Sequence, residues 1–179
     1  MKNRKIDWLG WVILATILIS SYFVHTKLSD IRHRLEQINT PKTEIRDVEQ
    51  FSQLCDQLSK QWQAKGYAFY LMQPKSPVKT YKEKVTASKN LTYLPLRVDI
   101  SKHWYTNNLY EHKYFVGNNS DAKDILTIDT LSWSNFAIIP VYQHNVIIGE
   151  LYVMYDKPLD SKFITSKVYE AQVLSKLIQ

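Results

Sequence analysis

From Trp8 to Val24 the chain runs seventeen residues without a charged side chain, then changes to a strictly patterned polar segment. Seventeen residues in a helix span about 25 Å, the short end of a membrane crossing. Ile6 and Asp7 extend the segment, so the predicted transmembrane helix covers residues 6–24. Trp8 and Trp11 stand near one end and Tyr22 and Phe23 near the other, as in the aromatic belts of membrane interfaces. The small residues Gly10, Ala15, Thr16, Ser20 and Ser21 permit close approach of a second helix. Residues 1–5 form a basic start with Lys2, Arg4 and Lys5. No A-x-A-like site follows the apolar run, which speaks against a cleaved signal peptide.

Beyond the run, Val24, Leu28, Ile31, Leu35 and Ile38 recur at steps of 4, 3, 4 and 3. This a/d stripe predicts an amphipathic helical connector over residues 25–40, with Leu28, Ile31, Leu35 and Ile38 as a seam for self-association or for packing on the chain's own domain. Thr40 and Pro41 read as the N-cap and first position of the next helix.

Residues 41–179 are long enough to bury a core of their own. Ile45, Val48, Phe51, Leu54, Cys55, Leu58 and Trp62 mark one face of a helix from about Pro41 to Ala64, stopped near Gly66. Cys55 falls on the apolar stripe, so a buried inert thiol is expected. The segment 67–73 reads as a strand and 74–90, with five Lys, as an exposed loop. Leu94, Leu96, Val98 and Ile100 alternate with polar residues, and Pro95 suggests an edge strand. Residues 110–116 and 125–130 are further strand candidates around the turn signal Gly117-Asn118-Asn119-Ser120. A hairpin pairs 135–142 with 146–155 through a tight turn at 143–145. Asp160 caps a last helix reaching Ile178, with Phe163, Ile164, Val168, Ala171, Leu174, Leu177 and Ile178 inward. The expected fold class is α+β: an antiparallel sheet with helices on one face.

The net charge of +6 is concentrated at the front. Residues 1–42 hold seven Lys/Arg and three Asp/Glu, leaving the rest nearly balanced at sixteen against fourteen. That placement suits a lipid bilayer and disfavours nucleic acid. A lone cysteine excludes an internal disulfide framework and a CxxC zinc site. There is no phosphate loop, HExxH or GxSxG motif. His103, His112 and His144 lack ligand spacing, and Asp99, Asp124 and Asp129 are scattered. No catalytic, cofactor-binding or metal residue is assigned and no enzyme is expected. The aromatic stretch 103–110 offers Trp104, Tyr105 and Tyr110 as candidate partner-binding residues.

Two resemblances follow from these residues. The segments 138–142 (Ile138, Ile139, Pro140, Val141, Tyr142), 148–153 and 173–177 resemble the closing hairpin and helix of GAF or PAS modules, which implies that fold for the C-terminal domain and no one function, since such modules host many; a membrane-anchored sensory or ligand-binding module is one alternative. The whole layout resembles the holins of T-even-type bacteriophages. The local carriers are Pro140, Val141 and Tyr142, then Asn145 and Gly149, Met154 and Tyr155, and Ala171 and Gln172. That resemblance implies a homo-oligomer in the host inner membrane, with a cytoplasmic N-terminus and a periplasmic domain bound by an antiholin. It also implies timed lesions that release endolysin. Close relatives would carry cysteines in that domain; here none follows Cys55. A structural component of an envelope complex is the third alternative.

Overall fold

The computed structural model describes residues 11–12, 16–18, 20–24, 27, 43–73, 81–99, 104–111, 113–129 and 131–179. They belong to two compact units, residues 1–40 and 41–179.

In the first unit the described residues are helical and exposed, Trp11, Tyr22 and Phe23 among them. Thr16 Oγ1 donates to the Val12 carbonyl at 2.8 Å. Among the described residues no helix is long and apolar enough to cross a membrane. Trp8, Ala15 and the seam Leu28, Ile31, Leu35 and Ile38 lie outside the described residues. Ser20 lies in an exposed helical turn.

The second unit is built on a six-stranded antiparallel sheet. Helix α1 is Val48–Gln61, and Asp47 caps it by accepting from the Gln50 amide at 2.9 Å. Strands β1 (Gly66–Met72), β2 (Tyr81–Ala87) and β3 (Arg97–Asp99) follow. Then come α2 (Thr106–Glu111), β4 (Phe115–Asn118), α3 (Asn119–Leu126), the long hairpin β5 (Asn135–Gln143) and β6 (Val146–Tyr155), and α4 (Ser161–Ala171). A 3-10 helix, Gln172–Leu177, continues α4. The spatial order is β3-β2-β1-β6-β5-β4, which places β1 and β6 at the centre.

Those two strands read as near-continuous apolar runs because both of their faces are covered. On one face Phe69, Leu151 and Val153 pack with Phe51 and Cys55 of α1, with Trp62 directly after it, and with Ile164 and Val168 of α4. On the other, Tyr70, Phe136, Ile138 and Tyr152 pack with Leu109 of α2 and Ala122, Ile125 and Leu126 of α3. Helices therefore cover both faces, not one as expected. The short helices α2 and α3 were not expected: α2 lies mostly in the aromatic stretch 103–110 and α3 begins in the turn signal 117–120, each overlapping a strand candidate only at its end. Asn118 and Asp121 explain α3: the Ser120 amide donates to Asn118 Oδ1 and the Asn118 amide to Asp121 Oδ2. These reciprocal bonds start a helix where a turn was expected. Ile125 is in its last turn, and Thr127 ends it in the left-handed region at φ 55°.

Other boundaries also shift. The first helix of the domain begins at Val48, because Ile45 pairs in an isolated antiparallel bridge with Ile178. It ends at Gln61, with Gln63 at φ 57°, and Gly66 opens β1 instead of stopping the helix. Of the segment read as a strand from Leu94 to Ile100, Arg97–Asp99 is the strand among the described residues, and it is an edge as Pro95 suggested. Phe163, expected inward, is exposed, while Cys55 is fully buried. The 135–155 hairpin and the Asp160 cap stand as predicted, Asp160 accepting from the Lys162 amide at 3.2 Å.

Candidate functional site

The segment 74–90 was expected to be an exposed loop, yet residues 81–87 form β2, between β1 and β3. Its Lys82 lies opposite Met72 and Val98 and is fully buried. A buried ammonium is costly unless it is paired and hydrogen-bonded. Here both conditions are met, by two residues of β6 and by Tyr105 just ahead of α2.

Glu150 on β6 is the counter-charge; Lys82 Nζ lies 2.7 Å from its Oε2, with side-chain exposures of 0% and 1%. The ammonium also donates to the Tyr105 hydroxyl at 2.7 Å and to the Tyr152 hydroxyl. Each phenol passes its own proton on: Tyr152 to Glu150 Oε2 at 2.9 Å, and Tyr105 to the same oxygen at 3.2 Å. The three N–H donors of lysine are thus all used, and the carboxylate accepts from all three neighbours. Tyr152 shares a face with Glu150 because the two are two residues apart on one strand. Tyr105 directly precedes α2, so the network ties the α2 layer to the sheet.

Three rings surround the ammonium. Its nitrogen is 4.7 Å from the Tyr152 ring centre, 5.1 Å from Tyr105 and 5.4 Å from Tyr70. Tyr70 lies opposite Glu150 in the β1–β6 ladder and donates its own hydroxyl proton to the Pro95 carbonyl at 2.9 Å. Such a cage attracts cations through the ring quadrupoles. Burial lowers the Lys82 pKa, and Glu150 opposes that shift. Burial, and then the Glu150 charge, push the Tyr70, Tyr105 and Tyr152 phenols up, so they stay protonated donors at neutral pH.

The three aromatic candidates separate. Trp104 is 52% exposed and sets its ring edge-on to Phe115 at 5.2 Å. Tyr105 is buried in the cage. Tyr110 is 58% exposed and lines an outer groove with Tyr142 and Tyr169. Sequence reasoning missed Lys82 and Glu150. Glu150 carried a usable signal: it is the one charge inside the apolar strand 146–155, and such a charge requires a buried partner. His144 is exposed in the β5–β6 turn, His103 and His112 lie outside the described residues, and among the described residues no cluster of His, Cys, Asp or Glu could hold a metal. Cys55 lies under the α1 layer, where burial pushes its thiol up and away from the reactive thiolate.

No family model and no curated protein matches the chain. Solved structures do resemble it. A type II free methionine-R-sulfoxide reductase from Thermoplasma acidophilum superposes with a TM-score of 0.55 at 11% identity, covering 72% of this chain and 89% of that one. The GAF domain region of a Geobacter sulfurreducens protein gives 0.53 at 12% identity, over 73% and 91%. Residues 122 to 287 of a methyl-accepting chemotaxis protein give 0.51 at 16% identity, over 80% and 92%. The C-terminal domain thus has the fold of GAF domains. This likeness points away from the holin and host-lysis expectation. The residues that carried that resemblance explain the error. Pro140, Val141, Gly149, Met154 and Tyr155 are buried positions of the β5–β6 hairpin, a demand of the sheet and not a mark of lysis.

Proposed function

We propose that the chain is a non-enzymatic sensory module of GAF type, in which the Lys82–Glu150–Tyr105–Tyr152 network is the latch of an effector cleft between the sheet and α2. The observation that carries this reading is that the hydrogen bonds of a buried ion pair include those of one group, Tyr105, that belongs to the covering layer. Every other member lies on the sheet. An effector entering between the layers has to replace the bonds of Tyr105, so occupancy and the position of α2 are linked. The near-zero exposure of Lys82 and Glu150 supports a structural latch rather than a reaction centre, since no substrate reaches the amine in this state. The fold shared with a chemotaxis-protein domain supports a signalling role.

The test is a thermal-shift screen of small metabolites on the full chain and on Tyr105→Phe. That variant keeps the ring but removes the hydroxyl from Lys82 and Glu150. A ligand that selects the open state binds the unlatched variant more tightly, because less of its affinity is lost to opening. It also changes hydrogen exchange over 104–111. If no compound stabilises either form, or if bound compounds leave 104–111 unchanged, the reading fails.

A further inference from the structure

A second site lies outside the cleft, at the far end of the β5–β6 hairpin. A groove of about 520 Å³ is lined by Tyr110, Lys113, Tyr142, His144 and Tyr169, with Gln172 beneath. Its volume falls in the range of small-molecule sites, about 300–1,000 Å³. Three features set its chemistry.

The floor is fixed. Tyr142 donates its hydroxyl to the Leu109 carbonyl at 2.8 Å and its amide to Gln172 Oε1 at 2.9 Å. Gln172 Nε2 in turn donates to the carbonyls of Pro140 at 3.0 Å and Val168 at 2.7 Å. The groove is therefore held from both layers before anything binds.

Its rims are aromatic and open. Tyr110 and Tyr169 are 58% and 67% exposed. Two large rings beside a fixed third one give apolar surface that a flat molecule can cover at low conformational cost.

The charge is one-sided. Lys113 and the His144 imidazole line the groove, and no carboxylate does so among the described residues. The surface of the domain is otherwise nearly balanced, so this is a local bias.

We infer that the groove binds a small aromatic acid: one flat ring against the tyrosines and a carboxylate facing Lys113 and His144. Through Tyr142 and Gln172 the occupant touches the junction of α4 and the 3-10 helix, and through Tyr110 it touches α2.

The experiment uses the full chain, ¹⁵N-labelled, titrated to millimolar concentration with indole-3-acetate, indole-3-acetamide and acetate. Indole-3-acetate is expected to move the amides of Tyr110, Lys113, Asn145 and Tyr169. Indole-3-acetamide, lacking the charge, should bind about tenfold more weakly, and acetate, lacking the ring, should not register. Tyr169→Ala should abolish the response. Lys113→Glu should weaken indole-3-acetate by about tenfold and leave indole-3-acetamide unaffected. Both side chains are exposed, so an unchanged spectrum elsewhere verifies that the variants fold. Equal binding of acid and amide, shifts confined to other residues, or no shift at all would each overturn the assignment.

Discussion

Glu150→Leu removes one charge from the cage and keeps the side-chain size close. Lys82 would retain an ammonium with zero exposure, and the Tyr105 and Tyr152 hydroxyls would lose their shared acceptor. Breaking a buried pair in this way costs about 3–5 kcal/mol. A domain of about 140 residues unfolds with an entropy near 0.3 kcal/mol/K, so the melting temperature should fall by roughly 10–17 °C. The double variant Lys82→Met/Glu150→Leu tests the cause. It removes both charges together, and replacing a buried pair by apolar residues is often neutral. Its melting temperature should return to within about 4 °C of the wild type, because a lost transfer of that size amounts to only about 1 kcal/mol. Scanning calorimetry of the full chain at pH 7 reads all three proteins. A fall of less than about 3 °C in Glu150→Leu, under 1 kcal/mol by the same conversion, would refute the burial argument. A double variant as unstable as the single would show that packing, not charge, sets the loss.

Gly149→Val should destabilise the hairpin, because a Cβ there would lie 2.3 Å from Phe69 Cζ. The Phe69 ring is fully buried against Phe51 at 4.7 Å and has no room to retreat. Overpacking of this kind costs about 1–3 kcal/mol or more, and an unchanged urea midpoint would contradict the assignment. At alkaline pH, Tyr70, Tyr105 and Tyr152 are held protonated in the fold, and Tyr155 is pushed up to about 12. The unfolded chain loses those protons near pH 10, so it binds fewer protons than the native state and stability falls as pH rises beyond 10. Lys82 acts oppositely: its lowered folded pKa adds stability as pH climbs towards the unfolded value of about 10.5, and above that only the tyrosine effect is left. Tyrosinate absorbance should therefore show a late, cooperative step that coincides with loss of near-ultraviolet circular dichroism. Smooth ionisation of all twelve tyrosines in an intact fold would exclude the buried network.

The β5–β6 hairpin and the Asp160 cap were legible because local rules produce them: apolar runs of strand length, a two-residue turn at His144 and Asn145, and an acid ahead of an amphipathic face. The strand β2 was not. Lys82, Glu83 and Lys84 look like solvent-exposed positions, and only the tertiary partners make Lys82 an interior residue. Those partners are distant in the chain, Lys82 and Glu150 being separated by 68 positions, so no motif spacing could announce them. The start of α1 was misplaced for a related reason. Ile45 fits the helical stripe, but pairing with Ile178 claims it for an extended bridge. Of the aromatic trio, composition marked the right neighbourhood, while α2 decided which ring turned inward.

Where the chain enters the second unit, it pairs with Gln179. The Glu44 amide donates to the Gln179 carbonyl and the Gln179 amide to the Glu44 carbonyl, each at 2.9 Å, and Arg46 Nε reaches Gln179 Oε1 at 3.0 Å. In the second unit taken alone, a short linker could join Gln179 to the residues just ahead of Glu44, and new termini opened in the exposed His144–Asn145 turn should give a circular permutant with the same sheet. The same rung bears any pull applied through residues ahead of Glu44. A load there would peel the last residues from the edge of the helix layer before it reached the central strands.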